Sequence, residues 1–383
     1  MTSTSGAIII GGGIAGASAA YEISAFTSVI LLEREAHCGY HSTGRSAASF
    51  TENYGNRLIR RLAMASRAFL EAPPGGFCDH PLLSPRGLLT IARTDQIEIL
   101  DRQLALASAL IPSIERITPE AAVAKAPILR RDYVAGAIFE PHSMDIDVSA
   151  LHQGFLRAAK ARGASIRVAS AVERIARSNG QWVIGTLGGE VRAPVVVNAA
   201  GAWADAVAAM AGIAPLGLMP KRRTAFLVPA PEGMDIRAWP MVGDAGDEFY
   251  FKPDAGQILG SPEDATPSDP LDAQPDDLDV AIGVDRFERA TTLNVRRVAR
   301  AWAGLRTYTA DSSPVVGPDE TAEGFHWLAG QEGYGIKTSP ALSRVCAAMI
   351  RGKPLPGDLT ELGIDAQELS PARLRRPAPA PGP

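Results

Sequence analysis

An apolar run, Ile8-Ile9-Ile10, passes straight into Gly11-Gly12-Gly13-Ile14-Ala15-Gly16, and a second apolar run, Val29–Leu32, ends at Glu33. This pattern predicts a strand, a tight turn, a helix and a second strand closed by an acid. Each glycine has a physical task in that unit. Gly11 permits the turn, Gly13 lets the backbone approach a pyrophosphate, and Gly16 lets helix and strand pack closely. The helix start offers unpaired N–H groups and a positive dipole end to phosphates. Glu33 can accept from both ribose hydroxyls, which favours a free 2′-OH over a 2′-phosphate. The unit binds the ADP half of a dinucleotide, and by itself does not separate FAD from NAD.

Composition narrows the remaining classes. The chain has 383 residues, 46% of them hydrophobic, enough for two domains with their own cores. Lys+Arg 38 against Asp+Glu 42 gives a net charge of −4, so no polycation for nucleic acid is present. No apolar run approaches the roughly 20 residues that span a bilayer. The start, MTSTSG, lacks a basic-then-apolar signal, so a soluble, cytoplasmic protein is expected. Cys38, Cys78 and Cys346 are far apart and form no CxxC, which implies neither a metal knot nor a disulfide framework.

Along the chain, Asn56 to Glu71 reads as an amphipathic helix with Leu58, Ile59, Leu62, Ala65 and Phe69 on one face. A short strand is expected over Leu88 to Ala92, a helix over 95–110 and another helix start at Thr118-Pro119-Glu120. Residues 149–162 read as a helix, followed by short strands at Ser165–Ala169, Ala171–Ala176, Trp182–Thr186 and Val191–Arg192. Pro194 to Trp203 returns to nucleotide-domain grammar: buried strand, small-residue turn, helix. Residues 221–310 alternate short strands with Pro and Asp turns, which predicts an antiparallel sheet. A strand at His326–Gly330 leads through Gln331–Thr338 to a helix over Pro340 to Ile350. The fold class is therefore α/β, a Rossmann-like nucleotide domain with a second, mostly antiparallel-sheet domain. The first takes 1–50, 146–215 and 310–372, the second 51–145 and 216–309. A proline-rich, flexible tail is expected over 373–383.

These segments together resemble the FAD-dependent D-amino-acid oxidase, glycine oxidase and sarcosine oxidase superfamily, and within it the bacterial FAD-dependent D-arginine dehydrogenases. The likeness rests on GYHSTGRSAA (39–48), HPLLSPRG (80–87), LHQGFLR (151–157), VNAAGAWAD (197–205), PLGLMPKRRTAF (215–226), FYFKPDAG (249–256), TTLNVRR (291–297), WAGLR (302–306) and GYGI (333–336), in order along nearly the whole chain. It implies non-covalent FAD and oxidation of an α-amino acid. No cysteine follows Arg306 in Thr307-Tyr308-Thr309, so no covalent flavin link of the sarcosine oxidase kind is expected, and Cys346 reads as core.

The resemblance implies a cofactor set beyond the glycine turn. It places Ser42, Thr43, Arg45 and Ser46 along the pyrophosphate and flavin, where hydroxyls and a guanidinium pair with phosphate oxygens. It adds Ile14, Ala15, Arg34, Ala47, Ala48, Ala200, Gly201 and Gly304, with Val172 against the adenine. Trp203 reads equally as core or cofactor contact. The loop Gly333, Tyr334, Gly335, Ile336, Lys337 and Thr338 would aim a helix N-terminus at the flavin, stabilising charge gained on reduction. Lys337 would add a positive charge there, or be a solvated surface lysine.

For substrate, Arg223 and Arg306 match the superfamily's carboxylate-binding arginines, Tyr250 its supporting phenol and Tyr54 a mobile lid residue. The Gly333 carbonyl would accept from the substrate amine. Arginine suits the carboxylate because its planar fork stays charged and binds it through two bonds. Strand alternation puts only one of Arg222 and Arg223 on the site. The chain departs from the D-arginine pattern at three places. Ser49 replaces an expected histidine, Lys337 an expected glutamine, and Leu88 the glutamate that would meet a guanidinium. Leucine cannot pair a buried cation; Glu52 or Asp244 are the acids that could restore one. The expectation is oxidative deamination of D-amino acids to 2-oxo acids and ammonia, shifted away from D-Arg. The electron acceptor, oxygen, quinone or other, is left open. The alternatives are a glycine- or sarcosine-like secondary-amine oxidase, an NAD-dependent dehydrogenase, and a non-catalytic flavoprotein subunit.

Overall fold

The computed structural model describes residues 2–109 and 111–375. Ala7–Ile10 lies inside a six-stranded sheet whose order is Ser165–Arg167, Val29–Leu32, Ala7–Ile10, Val195–Asn198, Phe325–Ala329 and Val315–Pro318. The first five strands are parallel and Val315–Pro318 is antiparallel. Every residue of Ala7–Ile10 and Val29–Leu32 is buried, as parallel strands covered on both faces require. Alternation sends their side chains to two cores. Ile9 and Leu31 pack with Phe155 and Val345 beneath the helices Ile14–Ile23, Val148–Ala161 and Gly335–Ile350. Ile8, Ile10, Ile30 and Leu32 pack with Trp182 and Ile184 of a four-stranded sheet that covers the other face.

The second large sheet has nine strands, drawn from 88–140 and 219–308. Its longest pairing joins Met219–Pro229 to Arg300–Tyr308, antiparallel, with Arg223 opposite Gly304 and Lys221 opposite Arg306. Because both strands alternate with a period of two, Arg223 and Arg306 share one face of the sheet. A small three-stranded sheet, Ser49–Phe50, Met144–Ile146 and Leu83–Pro85, lies apart from both. No helix among the described residues is long and apolar enough to cross a membrane.

Several elements differ from those expected, among them short strands within 49–146 and at Val315–Pro318. The stretch 221–310 also holds a helix, Asp277–Ala290, whose Asp276 cap accepts from the Leu278 N–H at 2.9 Å. Its signals, acids in the first turn and Arg289 in the last, were present but lay among turn-forming residues. The last long helix starts at Gly335, five residues before Pro340. Proline removes the N–H that would pair with the Ile336 carbonyl, and the Ser339 hydroxyl donates to that carbonyl instead, at 3.0 Å. The tail is ordered further than expected. Ala372–Arg375 is helical, with Arg373 on Asp311 and Arg375 on Asp319, each at 2.7 Å. The rest of the tail lies outside the described residues.

Candidate active site

The glycine turn is crowded at Gly11, Gly12 and Gly16. Gly11 has φ +106°, and a Cβ there would lie 2.4 Å from the Ala199 carbonyl oxygen. Gly16 does not face the cavity; a Cβ on it would lie 1.9 Å from the Gly11 oxygen, so it sets the helix against the turn. Glu33 holds the turn as well as closing its strand. Its Oε2 accepts from Gly12 N–H at 2.7 Å and its Oε1 from Glu35 N–H at 2.9 Å. Each carboxylate oxygen keeps a second lone pair for a ribose hydroxyl. His152, given no role from the sequence, donates from Nε2 to the Gly12 carbonyl at 2.9 Å. Burial pushes its pKa down against that bond, so it holds the turn as a neutral ring. The Thr43 hydroxyl oxygen accepts from Ile14 N–H at 3.0 Å, capping a helix whose own cap residue, Gly13, has no side chain.

From this turn a cavity of about 470 Å³ runs to the face of the second sheet. At one end lie Val172, Ala200, Gly201 and Trp203. Trp203 is half-buried, with the Arg34 guanidinium 5.1 Å over its ring and His41 4.6 Å from it, so it is a wall and not core. Gly11, Gly13, Ile14, Ala15, Glu33, Ser42, Thr43, Arg45, Ser46 and Ala47 line the middle. At the far end lie Arg223, Tyr250, Gly304, Arg306, Gly333, Gly335 and Ile336.

The two arginines at that end are not equivalent. Arg223 donates to Glu263 at 2.8 Å, an ion pair with both side chains about nine-tenths buried. Arg222 turns to the opposite face and donates to Asp279 at 2.6 Å. Arg306 has no hydrogen bond or ion pair among the described residues. Its guanidinium lies against Gly333, where any Cβ would be 2.7 Å from Cζ. An uncompensated guanidinium facing a cavity is a binding group for an anion. Beside it the side-chain nitrogen of Gln331 and Oε1 of Glu332 are buried without partners, and both residues line the cavity. Gln331 stood in the sequence loop without an assigned role. An orphan amide donor beside a helix start fits a ring system edged with carbonyls, as a flavin is.

Several assigned residues do other work. The Arg45 guanidinium is committed to the Ala273 and Ala303 carbonyls and to Asp272, leaving little for a phosphate. The Ser42 hydroxyl donates to Leu305 O at 2.6 Å. Ala48 does not line the cavity; its carbonyl accepts from Ile146 N–H at 3.3 Å. Tyr54 and Tyr334 stack edge to face at 5.3 Å beside the cavity. Lys337 and Thr338 are in the helix and buried, and neither lines the cavity. Thr338 bonds back to the Tyr334 carbonyl, and Lys337 reaches the carbonyls of Thr51 and Tyr54. Lys337 is thus neither a surface lysine nor a cavity charge. Of the acids that could have replaced the one missing at Leu88, Glu52 is paired with Arg67 at 2.7 Å. Asp244 accepts from Gln96 and Gly246. Nothing in local sequence could have shown the partners Glu263 and Asp272, since each lies far along the chain from its arginine.

A glycine turn and closing acid at one end and an open guanidinium at the other define a dinucleotide-dependent oxidoreductase of the two-sheet class. The pattern of the FAD dependent oxidoreductase family, DAO, matches residues 7–349, and the chain belongs to that family. The cofactor is FAD. The bovine (Bos taurus) FAD-dependent oxidoreductase domain-containing protein 1 is 25% identical, over 90% of this chain and 80% of that protein. Glycine oxidase of Geobacillus kaustophilus is 24% identical, over 93% of this chain and 95% of its own. The crystal structure of L-proline dehydrogenase from P. horikoshii shares the fold with a TM-score of 0.83, at 24% identity over 98% and 99% of the two chains.

Proposed function

We propose that the protein oxidises the Cα–N bond of a D-amino acid, with the carboxylate held by Arg306. The observation that carries this reading is the Arg306 guanidinium, directed at the cavity without a carboxylate of its own. Bound FAD supplies the two-electron acceptor. The substrate, its amine neutral, loses a hydride from Cα and becomes an iminium; water then replaces nitrogen, giving a 2-oxo acid and ammonium. Arg306 fixes the carboxylate, Tyr250 walls its side, and the Gly333 carbonyl accepts from the amine. Positioning by these groups supplies the protein's share of catalysis, with no side-chain base. Glu33 and the Gly11–Ala15 turn hold the ADP half, and the Gln331–Gly335 loop the ring. The two large sheets are the cores of a FAD-binding and a substrate domain with the boundaries given above.

Leu88 has no charge, and Glu52 and Glu263 are paired with arginines, which favours neutral side chains over D-Arg and D-Lys; Glu332, the acid with an unpartnered oxygen at the cavity, lies beside Arg306 at the carboxylate end. A second reading, a glycine- or sarcosine-like amine as substrate, is favoured by the end-to-end match to a glycine oxidase. An anaerobic panel of D-, L- and N-methyl amino acids separates the two by which compounds bleach the flavin. If none does, both readings fail.

A further inference from the structure

The Ser49–Gly55 strap carries Tyr54 past the cavity, and its carbonyls are held from several directions. Phe50 O accepts from the Ser143 hydroxyl at 3.2 Å and Gly55 O from Arg60 Nε at 2.8 Å. Between them, Lys337 Nζ donates to Thr51 O at 2.9 Å and to Tyr54 O at 2.8 Å. The Thr51 hydroxyl donates to Glu140 Oε1 at 2.7 Å and accepts from Asn53 N–H at 3.0 Å. Glu140 comes from the second large sheet and Lys337 from the helix under the first. The strap is therefore pinned to both halves of the molecule at once.

We infer that Lys337 is a positioning residue: its side chain fixes the Thr51–Tyr54 strap, and so sets Tyr54 beside the substrate end of the cavity. Lys337 is only 4% exposed, and a buried amine is costly unless its N–H groups are used. Here they bind two carbonyls three residues apart. Tyr54 lies near enough to Arg306, Glu263, Asp247 and Arg223 to feel their charges, so its placement bears on the same end of the cavity. The charged and titratable groups around the amine are Glu140 and Glu52, which favour its charged form, and Arg60, which disfavours it. The rings of Tyr54 and Tyr334 stand 5.6 and 5.4 Å away. Burial brings the amine down to about 7, yet a neutral amine still has two N–H donors for its two carbonyls. The tether therefore survives titration. The strap expected to swing as a lid is held as a fixed wall. Its part in turnover rests on the proposed amine oxidation; the tether itself does not.

Hydrogen exchange on the full-length protein, with and without FAD, tests this in K337M and K337Q. K337M has no donor, and its amides over 50–56 should exchange at least about tenfold faster, while 339–350 stay within twofold of wild type. K337Q, with a shorter amide donor, should recover part of the protection, and carries the test if K337M does not fold. With substrate, KM should rise at least fivefold while the flavin reduction rate at saturation stays within threefold. Wild-type exchange over 50–56 in the variants would overturn the inference. So would a shifted flavin potential with the strap still protected, which would assign Lys337 to the cofactor. Exchange needs neither flavin nor substrate. Strap loosening in a protein that oxidises no amine would uphold the tether and sink only the functional reading.

Discussion

Arg223 and Arg306 stand on one face of neighbouring strands, yet of the two only Arg306 is without an ion-pair partner among the described residues, because Glu263 closes on Arg223 at 2.8 Å. The register puts both cations at the cavity, and the ion pair leaves only one of them open to an incoming anion. Arg306→Met should lower kcat/KM by at least about 100-fold, since a charge-assisted hydrogen bond is worth about 1.5–3 kcal/mol and the fork can make two. Arg306→Lys should recover only part of the loss. Steady-state kinetics on a substrate and on its decarboxylated amine checks this: the variant's deficit should vanish for the amine.

Breaking the Arg223–Glu263 pair should cost stability before it costs binding. Glu263→Gln leaves a buried guanidinium uncompensated, and removing one partner of such a pair typically costs about 3–5 kcal/mol. Denaturant unfolding should show the loss. R223M/E263Q together should be less destabilised than the sum of the single variants, because the two groups act as a pair.

Asp247 should give the enzyme a pH dependence below neutrality. Burial and the neighbouring Glu263 push its pKa up to about 6, against the pull of Arg223. As pH rises through 6 it ionises and adds a negative charge near Arg306, so KM for an amino-acid carboxylate should rise between pH 5 and 7. Because this folded pKa stands above the ordinary carboxylate value, Asp247 also favours the fold at low pH, and that contribution is lost as pH rises from the ordinary carboxylate range to about 6. Asp247→Asn should flatten the KM limb, measured as KM from pH 5 to 8.

Gly16→Ala should separate fold from chemistry at the other end. Its methyl would meet the Gly11 carbonyl at 1.9 Å, forcing helix and turn apart. The protein should purify with little flavin, read as the ratio of absorbance near 450 nm to that near 280 nm. Gly163→Ala is a control at another glycine, where φ is +89° but a Cβ would meet nothing within 4 Å. It should keep its flavin and be only mildly destabilised by the backbone strain.

The sequence by itself determined the glycine-turn end of the cavity. Gly11, Gly13, Gly16 and Glu33 lie within one strand–turn–helix–strand unit, so spacing along the chain is nearly spacing in space. The parallel sheet and its covered strands followed from local periodicity in the same way; periodicity put only one of Arg222 and Arg223 on the site, and the family resemblance pointed to Arg223. Only the tertiary structure decided what each charge was for. Arg45 goes to Asp272 and two carbonyls, Arg223 to Glu263, and Lys337 to a strap 286 residues earlier. A buried charge takes whichever partner the fold brings within reach, and that partner is set by how sheets and helices pack, which no local pattern records.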